Sequence, residues 1–596
     1  MAIIVLAISQ SGMDVARRLV GALDAPIHGR KDRVDGADVV FENALDHTRD
    51  LFAAGHTVIG ICAAGILIRA VAPILSDKTQ EPPLIAVPDD GAHVVPLLGG
   101  HRGANRLARQ VADILEVSAS VTTAGDVALG VSLDEPPLGY RLATPENAKS
   151  VMAGLLGGGG AKLEGEVLFD LPHDPKGAHR IVVSENPEQV GTGDLLYHSQ
   201  RYTLGLGCAR NCDPVEMEGL VHQALSKAGI VMGAIAAIGS LDLKADEPAM
   251  NAISKKFGVP YRLFSADELE EMTPKLQNPS KVVFNEVGCH GVSEAAALAL
   301  GGEELVVPKM KSANATCAIA RAERPITDPN GRTRGRLSII GIGPGQATWR
   351  TPEASRLIAD AEELVGYGLY IDLLGPLAAG KIRSDFPLGG EEDRCRYALE
   401  EAAKGKNVAL ICSGDAGIYA MGALVFELMD RDADALGVSD AAKRVDVICT
   451  PGISALQGAA VRAGAPLGHD FCAISLSDLL TPRGDIIKRL NAAAEGDFVI
   501  AFYNPVSKRR RTLLAEARDI LLQHRPADTP VLLASSLGRS EEEIRYRRLV
   551  DLQVDEVDML TVVLIGSSHS KLAQLGEGPR MYTPRGYARK IDGDLS

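Results

Sequence analysis

Short apolar runs of strand type alternate along the chain with stretches that repeat an apolar position every three or four residues, and glycine or proline stands at most of the changes between them. Residues 3–8 predict a strand, 13–23 a helix, and 57–62 a strand ending before the turn at Gly65. This is a βα pattern, and it defines an N-terminal α/β domain over residues 1–150. Within it Gly99, Gly100, His101, Arg102 and Gly103 stand just ahead of a helix predicted over 105–115. Backbone N–H groups at a helix start, with Arg102 beside them, suit a carboxylate. The same spacing is also explained by Asn105 as a helix cap and His101 as a surface turn residue.

The periodicity then weakens. GLLGGGG at 154–160 and the polar stretch 171–202 predict a hinge and connecting region over 151–201. A second compact α/β unit follows over 202–322, with a strand from Tyr202, a helix over 214–228, a strand over 230–238, and helices over 247–257 and 292–300. Its cysteines Cys208, Cys212 and Cys289, the last beside His290, match metal-ligand spacing only loosely, so no metal is expected. Residues 323–336, rich in arginine, proline and glycine without periodicity, predict a linker.

The next strand, LSIIG, ends in the turn Gly343-Pro344-Gly345, and the helix after it is delayed to Thr351-Pro352-Glu353. Threonine at the cap, proline at the first helical position and an acid in the first turn mark a helix entrance. A dinucleotide loop would open its helix at the glycines, so the delay argues against that ligand. Later strands end in Ser413-Gly414-Asp415, Thr450-Pro451-Gly452, Ser477-Asp478 and Tyr503-Asn504-Pro505. Ligands collect outside the carboxyl ends of strands in open α/β sheets, so these turns are expected to line one cleft.

Composition narrows the function. Among 596 residues, 46% are hydrophobic and the formal charge is −15, which disfavours a nucleic-acid partner. No apolar stretch reaches the roughly 18 residues that a membrane span needs. Nine scattered cysteines and the absence of a basic leader fit a cytoplasmic enzyme.

GIGPG, SGDAGIY, TPGISA, SLSD and FYNPVSKRRR resemble the tetrapyrrole methylase family, and within it the precorrin-3B C17-methyltransferases, from residue 337 to about 587. The resemblance implies two α/β subdomains, 337–449 and 450–596, with S-adenosylmethionine held between them, an anionic tetrapyrrole as substrate, methylation at C17 with ring contraction, and a homodimer. It puts Gly343, Pro344, Gly345, Asp415, Gly417, Ile418, Tyr419, Pro451, Gly452, Ile453, Ser454, Tyr503, Ala534 and Thr561 around the cofactor. Ala416 stands where many relatives have proline. Asn504, Lys508, Arg509, Arg510 and Arg511 are candidates to hold the carboxylates of the ring, or a solvated basic face. Asp415 and Asp478 are candidate proton carriers, or turn caps.

The first 322 residues resemble the cobalt-precorrin-5A hydrolases in GILIRAVAPILSDKTQEPPLIAV, LLGGHRGAN, VTTAGD, LGLGC, GVSEAAALAL and VVPKMKSANATCAIARA. That resemblance implies opening of a lactone with release of acetaldehyde, and other corrin-pathway enzymes as partners. His101, Asp126, Glu294 and Lys311 are the side chains considered for the water or base, and Arg102 for substrate. Relatives carry two glycines before the Ala-Asn pair, where only Gly103 stands here. Residues 202–322 also resemble a small corrinoid-handover protein, which makes a non-catalytic binding module the alternative for this half.

Overall fold

A computed structural model describes residues 2–587 except Ser76, Thr79, Lys508, Arg509 and Glu577. The first sheet has the order β3-β2-β1-β4-β5-β6, built from β1 (Ile3–Ala7), β2 (Ile27–Arg30), β3 (Val39–Phe41), β4 (Thr57–Ile61), β5 (Leu84–Val87) and β6 (Val95–Leu98). All its pairings are parallel except β5 with β6. The helix after β1 runs Met13–Leu23 and buries Met13, Val15, Ala16 and Leu19, the apolar stripe its periodicity predicts.

Residues 151–201 correct the expectation of a hinge. Strands β7 (Tyr140–Leu142), β8 (Ala161–Glu164), β9 (His179–Val183) and β10 (Asp194–Ser199) make a four-stranded sheet in the order β7-β10-β9-β8. The helix Ala148–Leu156 buries Val151 and Leu155 against Ile181, Leu195 and Tyr197. Gly154 lies inside that helix and Gly157 to Gly160 just past its end, so the glycine run describes one turn and not the whole region.

The next sheet, β13-β12-β11-β15-β14, holds β11 (Tyr202–Cys208), β12 (Ile235–Leu241), β13 (Tyr261–Phe264), β14 (Glu304–Lys311) and β15 (Ala315–Arg321). β12 starts later than predicted because Ile230 is buried before a 3-10 turn at Met232–Ala234, which lengthens the apolar signal beyond the strand. The expected linker is also partly ordered: the Arg332 backbone pairs with Leu263 of β13, and Arg334 donates to the carbonyls of Arg444 and Val445.

The C-terminal half has two layers of α/β structure, bearing out the expected multi-domain α/β class. A parallel sheet, β18-β17-β19-β16-β20, comprises β16 (Arg336–Gly341), β17 (Glu363–Tyr367), β18 (Ile382–Phe386), β19 (Asn407–Cys412) and β20 (Asp446–Thr450). After the short β21 (Gly464–Ala465), a mixed sheet β22-β23-β26-β24-β25 holds β22 (Phe471–Ser475), β23 (Val499–Tyr503), β24 (Pro530–Ser535), β25 (Glu543–Arg548) and β26 (Thr561–Ile565). β27 (Lys571–Leu575) and β28 (Gly578–Tyr582) close a small sheet with β21. Among the described residues, no helix is long and apolar enough to cross a membrane.

The first domain rests on the C-terminal half. Ala54 packs into the cluster of Ile358, Leu374 and Leu377, and buried Arg350 lies 3.9 Å from Asp50. Near this seam three buried histidines are held neutral. Burial, with Lys381 adding to it, lowers His56 to about 4; burial and the neighbouring ring lower His28 to about 4 and His47 to about 3. An unfolded chain protonates all three near pH 6.5, so the unfolded state binds more protons than the folded state below that pH. Stability is therefore present above pH 6.5 and is lost as pH falls toward 4. Tryptophan-independent far-UV melts at pH 7, 5.5 and 4.5 are expected to show the midpoint dropping stepwise, and a His47→Phe variant, stacked on Phe41 as the imidazole is, flattens that dependence.

Candidate active site

The C-terminal ends of β16, β19, β20 and β23 converge between the two subdomains, and their loops are tied to one another by backbone bonds. Gly343 N–H donates to the Gly414 carbonyl at 3.1 Å, and Gly414 N–H returns the bond to Gly343 at 2.9 Å. Both residues have positive φ, +76° and +72°, which glycine adopts without a Cβ penalty. Pro344 is buried, and Gly345 approaches the Gly538 carbonyl of the second subdomain so closely that a Cβ would lie 2.8 Å from it. The Gly343-Pro344-Gly345 turn thus joins the two walls more than it exposes backbone.

Asp415 binds the two loops together. Its Oδ1 accepts from Gly417 N–H at 2.8 Å and its Oδ2 from Gly452 N–H at 3.0 Å. Beyond it Gly417, Ile418 and Tyr419 are exposed, and Tyr419 takes φ +51°. Its ring lies 5.2 Å from that of Tyr503, and its hydroxyl donates to the Ala473 carbonyl of β22 at 2.9 Å, a bridge across the subdomains. Opposite, Pro451 is exposed and Gly452 and Ile453 half-buried, while Ser454 caps the helix Ala455–Ala463 through a reciprocal bond pair with Gln457. That helix start explains the TPGISA motif locally: serine at the cap and glutamine three residues on satisfy two orphan N–H groups.

The Tyr503 hydroxyl accepts from Leu456 N–H at 3.0 Å, and burial first, with the nearby Tyr419 and Asp415, raises its pKa despite that bond. Tyr503→Phe leaves a half-buried N–H without a partner, a loss of about 1–3 kcal/mol. The expected result is a thermal midpoint lowered by several degrees with an unchanged far-UV spectrum.

Two further predicted cofactor residues stand at the same end of the second sheet as Tyr503, where β26 pairs with both β23 and β24. Ala534 is fully buried inside β24, and the Thr561 hydroxyl donates to Asp558 Oδ1 at 2.6 Å and bonds Ser535 at 2.8 Å, so both side chains are engaged within that sheet. Both positions alternate apolar and small in sequence, and only the sheet decides which face they occupy. Asn504 is exposed and donates to Ser475 Oγ at 3.2 Å. Arg510 lies 3.9 Å from Asp478, and its buried Nη1 has no hydrogen-bond partner among the described residues, whereas Arg511 is paired with Asp555 at 2.7 Å. Lys508, Arg509 and the Asp126 side chain lie outside the described residues.

In the N-terminal half, His101 and Arg102 share one sheet-end turn, while Glu294 and Lys311 belong to the following domain. Because β6 runs antiparallel to β5, it carries Gly99–Gly103 to the sheet end where β5 begins; Arg102 donates there to the Gln80 carbonyl at 2.9 Å, and His101 pairs with Asp134 at 2.9 Å. Asn105 does not cap its helix, which runs Ala104–Leu115 behind Gly103; its amide reaches Thr123. Glu294 is 2% exposed and accepts from the backbone N–H groups of Gln277, Asn278 and Lys309 and from the Asn278 amide. Burial raises its pKa but these four bonds outweigh it, so the carboxyl is held below its usual range. It anchors a loop. Lys311 is exposed at the end of β14. His290 bonds Glu270 and stacks on Phe284, and among the described residues no cluster of His, Cys, Asp and Glu could hold a metal ion.

Sequence reading missed the carboxyl ends of β1 and β5. There Asp89 accepts from Ser9 Oγ at 2.6 Å and from Ser11 Oγ, at the position where the sheet order reverses between β1 and β4. Ser9-Gln10-Ser11-Gly12 after the first strand was the available signal.

This geometry defines a two-subdomain α/β enzyme whose cleft is walled by strand-end loops, preceded by separate α/β units. Three families match the chain: Cobalamin synthesis G N-terminal over residues 46–126, Cobalamin synthesis G C-terminus over 202–320, and Tetrapyrrole (Corrin/Porphyrin) Methylases over 336–553. A precorrin-3B C(17)-methyltransferase of Sinorhizobium sp is 42% identical over 255 residues, spanning 43% of this chain and 98% of that protein. A probable cobalt-factor III C(17)-methyltransferase of Salmonella typhimurium is 45% identical over 42% of this chain and 99% of its own length. The cobalamin biosynthesis protein CobIJ of Mycobacterium tuberculosis is 34% identical over 69% of this chain and 78% of its own. The solved methyltransferase CobJ aligns with 37% identity and a TM-score of 0.39, covering 42% of this chain and all of its own. The chain belongs to the tetrapyrrole methylase family, joined to the two parts of a cobalamin synthesis G protein.

Proposed function

We propose that the C-terminal half methylates C17 of precorrin-3B, or of its cobalt form, with ring contraction, and that the N-terminal half opens the lactone of (cobalt-)precorrin-5A with release of acetaldehyde. The observation that carries the first activity is the Asp415 carboxylate bound to both loop N–H groups, Gly417 and Gly452, at the subdomain cleft. S-Adenosylmethionine fits the residues present: the buried Thr450 Oγ1 at the end of β20 has no hydrogen-bond partner among the described residues, and Ile418 and Tyr419 of the loop after β19 offer exposed apolar surface. Asp415, Gly417, Ile418, Tyr419, Pro451 to Ser454 and Tyr503 would hold it. When bound, it supplies an electrophilic methyl group on a sulfonium.

Methyl transfer to carbon needs no nucleophilic side chain; the protein orients the reactants and excludes water. The Tyr419–Tyr503 pair and the Tyr419 bridge to Ala473 close one side of the cleft. Arg510, with an unpaired buried N–H beside Asp478, orients a ring carboxylate. Purified protein with precorrin-3B, or cobalt-factor III, and S-adenosylmethionine is expected to yield a product heavier by one methyl group; no such species refutes the reading.

For the N-terminal half, Asp89 with Ser9 and Ser11 is a group able to orient and deprotonate a water. A second reading, a corrinoid-binding module without catalysis, is favoured by Glu294 and His101 being engaged in structural bonds. Acetaldehyde release decides between them: with the lactone substrate it supports hydrolysis, and intact corrinoid binding without it supports the module. The protein acts on an anionic tetrapyrrole in the cytoplasm, as a homodimer and alongside other corrin-pathway enzymes; light scattering that gives one chain per particle removes the dimer.

A further inference from the structure

Where the 202–321 domain meets the C-terminal half, a small half-open recess with a cavity volume of about 30 Å³ is lined by Arg332, Arg334 and Arg444 against a single carboxylate, Asp242. Three guanidinium-bearing residues and one carboxylate leave two positive charges, in a chain whose formal charge is −15. We propose that this recess binds a small oxyanion, a carboxylate or a phosphate, and so couples the two domains.

The arginines are held in place before any ligand arrives. Arg332 Nη2 donates to Asp242 at 2.5 Å and Nη1 to the Ala403 carbonyl at 3.2 Å, while its backbone is bonded both ways to Leu263. Arg334 Nε donates to the Arg444 carbonyl at 2.9 Å and Nη2 to that of Val445 at 3.2 Å. Gly335 lies so close to the Ala402 carbonyl that a Cβ would be 1.6 Å from it, which pins the strap to the C-terminal half. Each of these two guanidinium groups has five N–H donors and uses two in these bonds. Among the described residues Arg334 bonds only backbone carbonyls, so no carboxylate is bonded to its charge, and the half-buried Arg444 side chain makes no hydrogen bond or ion pair. Asp246, whose carboxyl also feels the Arg334 charge, is bonded to Arg210. Fixed fork-shaped donors with surplus charge are the chemistry that recognises planar carboxylates and phosphates.

Because the strap belongs to one domain's edge and its partners to the other, an anion bound here bridges them. The full chain is titrated with sodium phosphate and, separately, with glutarate, each against chloride at matched ionic strength, reading thermal midpoint and hydrogen exchange of peptides covering 332–336 and 441–445. Saturable stabilisation with protection of both peptides is expected. Arg444→Gln weakens the anion's apparent affinity at least tenfold, and Asp242→Asn, which removes the competing carboxylate, tightens it or leaves it unchanged. Stabilisation by phosphate alone identifies free phosphate as the source, and by glutarate identifies a carboxylate-bearing ligand. No saturable effect from either anion, or equal effects in wild type and Arg444→Gln, overturns the proposal. Methyl-transfer activity of Arg444→Gln, far from the cleft loops, stays within twofold and shows that the variant is folded.

Discussion

Asp415→Ala protein is expected to lose at least 100-fold in kcat/KM for methyl transfer and to bind S-adenosylhomocysteine at least tenfold more weakly, while keeping its far-UV spectrum. The carboxylate accepts from Gly417 N–H and Gly452 N–H, one on each side of the cleft. A hydrogen bond to a charged group contributes about 1.5–3 kcal/mol, so losing two removes about 3–6 kcal/mol of loop positioning. At about 1.36 kcal/mol per decade, 100-fold is about 2.7 kcal/mol, which is reached when nearly all of the lower figure, or under half of the upper, is expressed in the transition state. Asp415→Asn keeps one acceptor oxygen and is expected to fall between. An Asp415→Ala enzyme with wild-type affinity and rate would reduce Asp415 to a turn residue.

Gly452→Ala has the second large effect. A Cβ there would lie 2.1 Å from the Gly414 carbonyl oxygen and 3.0 Å from Gly341 Cα, all backbone atoms that cannot rotate away. The TPG loop must then move off the SGD loop, breaking the Gly452–Asp415 bond. Overpacking of this kind costs about 1–3 kcal/mol, and the bond adds to it. Methyl transfer below detection is expected, with the C-terminal half's thermal midpoint lowered by several degrees. Under the hydrolase reading proposed above, acetaldehyde release should survive, since the N-terminal sheet and the Ser9–Asp89 group share no element with the displaced loop. Loss of both activities together would mean that the halves do not fold independently.

Much of the cleft was legible in the linear chain because its parts are local. Thr351 caps the helix Pro352–Asp360 by accepting from Ala354 N–H, with proline at the first position, as the three residues in a row require. The SGD and TPG turns follow their strands directly, and Ser454 with Gln457 forms its capping box over three residues. The N-terminal candidates are dispersed for a topological reason. Nothing in LLGGHRGAN reveals that its strand runs antiparallel, and that direction alone moves His101 and Arg102 to the other end of the sheet from Asp89.

What the sequence by itself determined, then, are the features whose partners lie within a few residues: strands, helix entrances, the α/β class and the order of loops around the cleft. Tertiary structure decided which distant groups meet. It drew Asp415 to Gly452 across 37 positions, engaged Glu294 in a loop anchor, and turned an arginine-rich linker into a strap between two domains. It also folded the 151–201 region into a sheet whose strands are too short and polar to announce themselves. Periodicity encodes which face of an element is buried, but not what covers it, and a charged side chain's role depends on that cover.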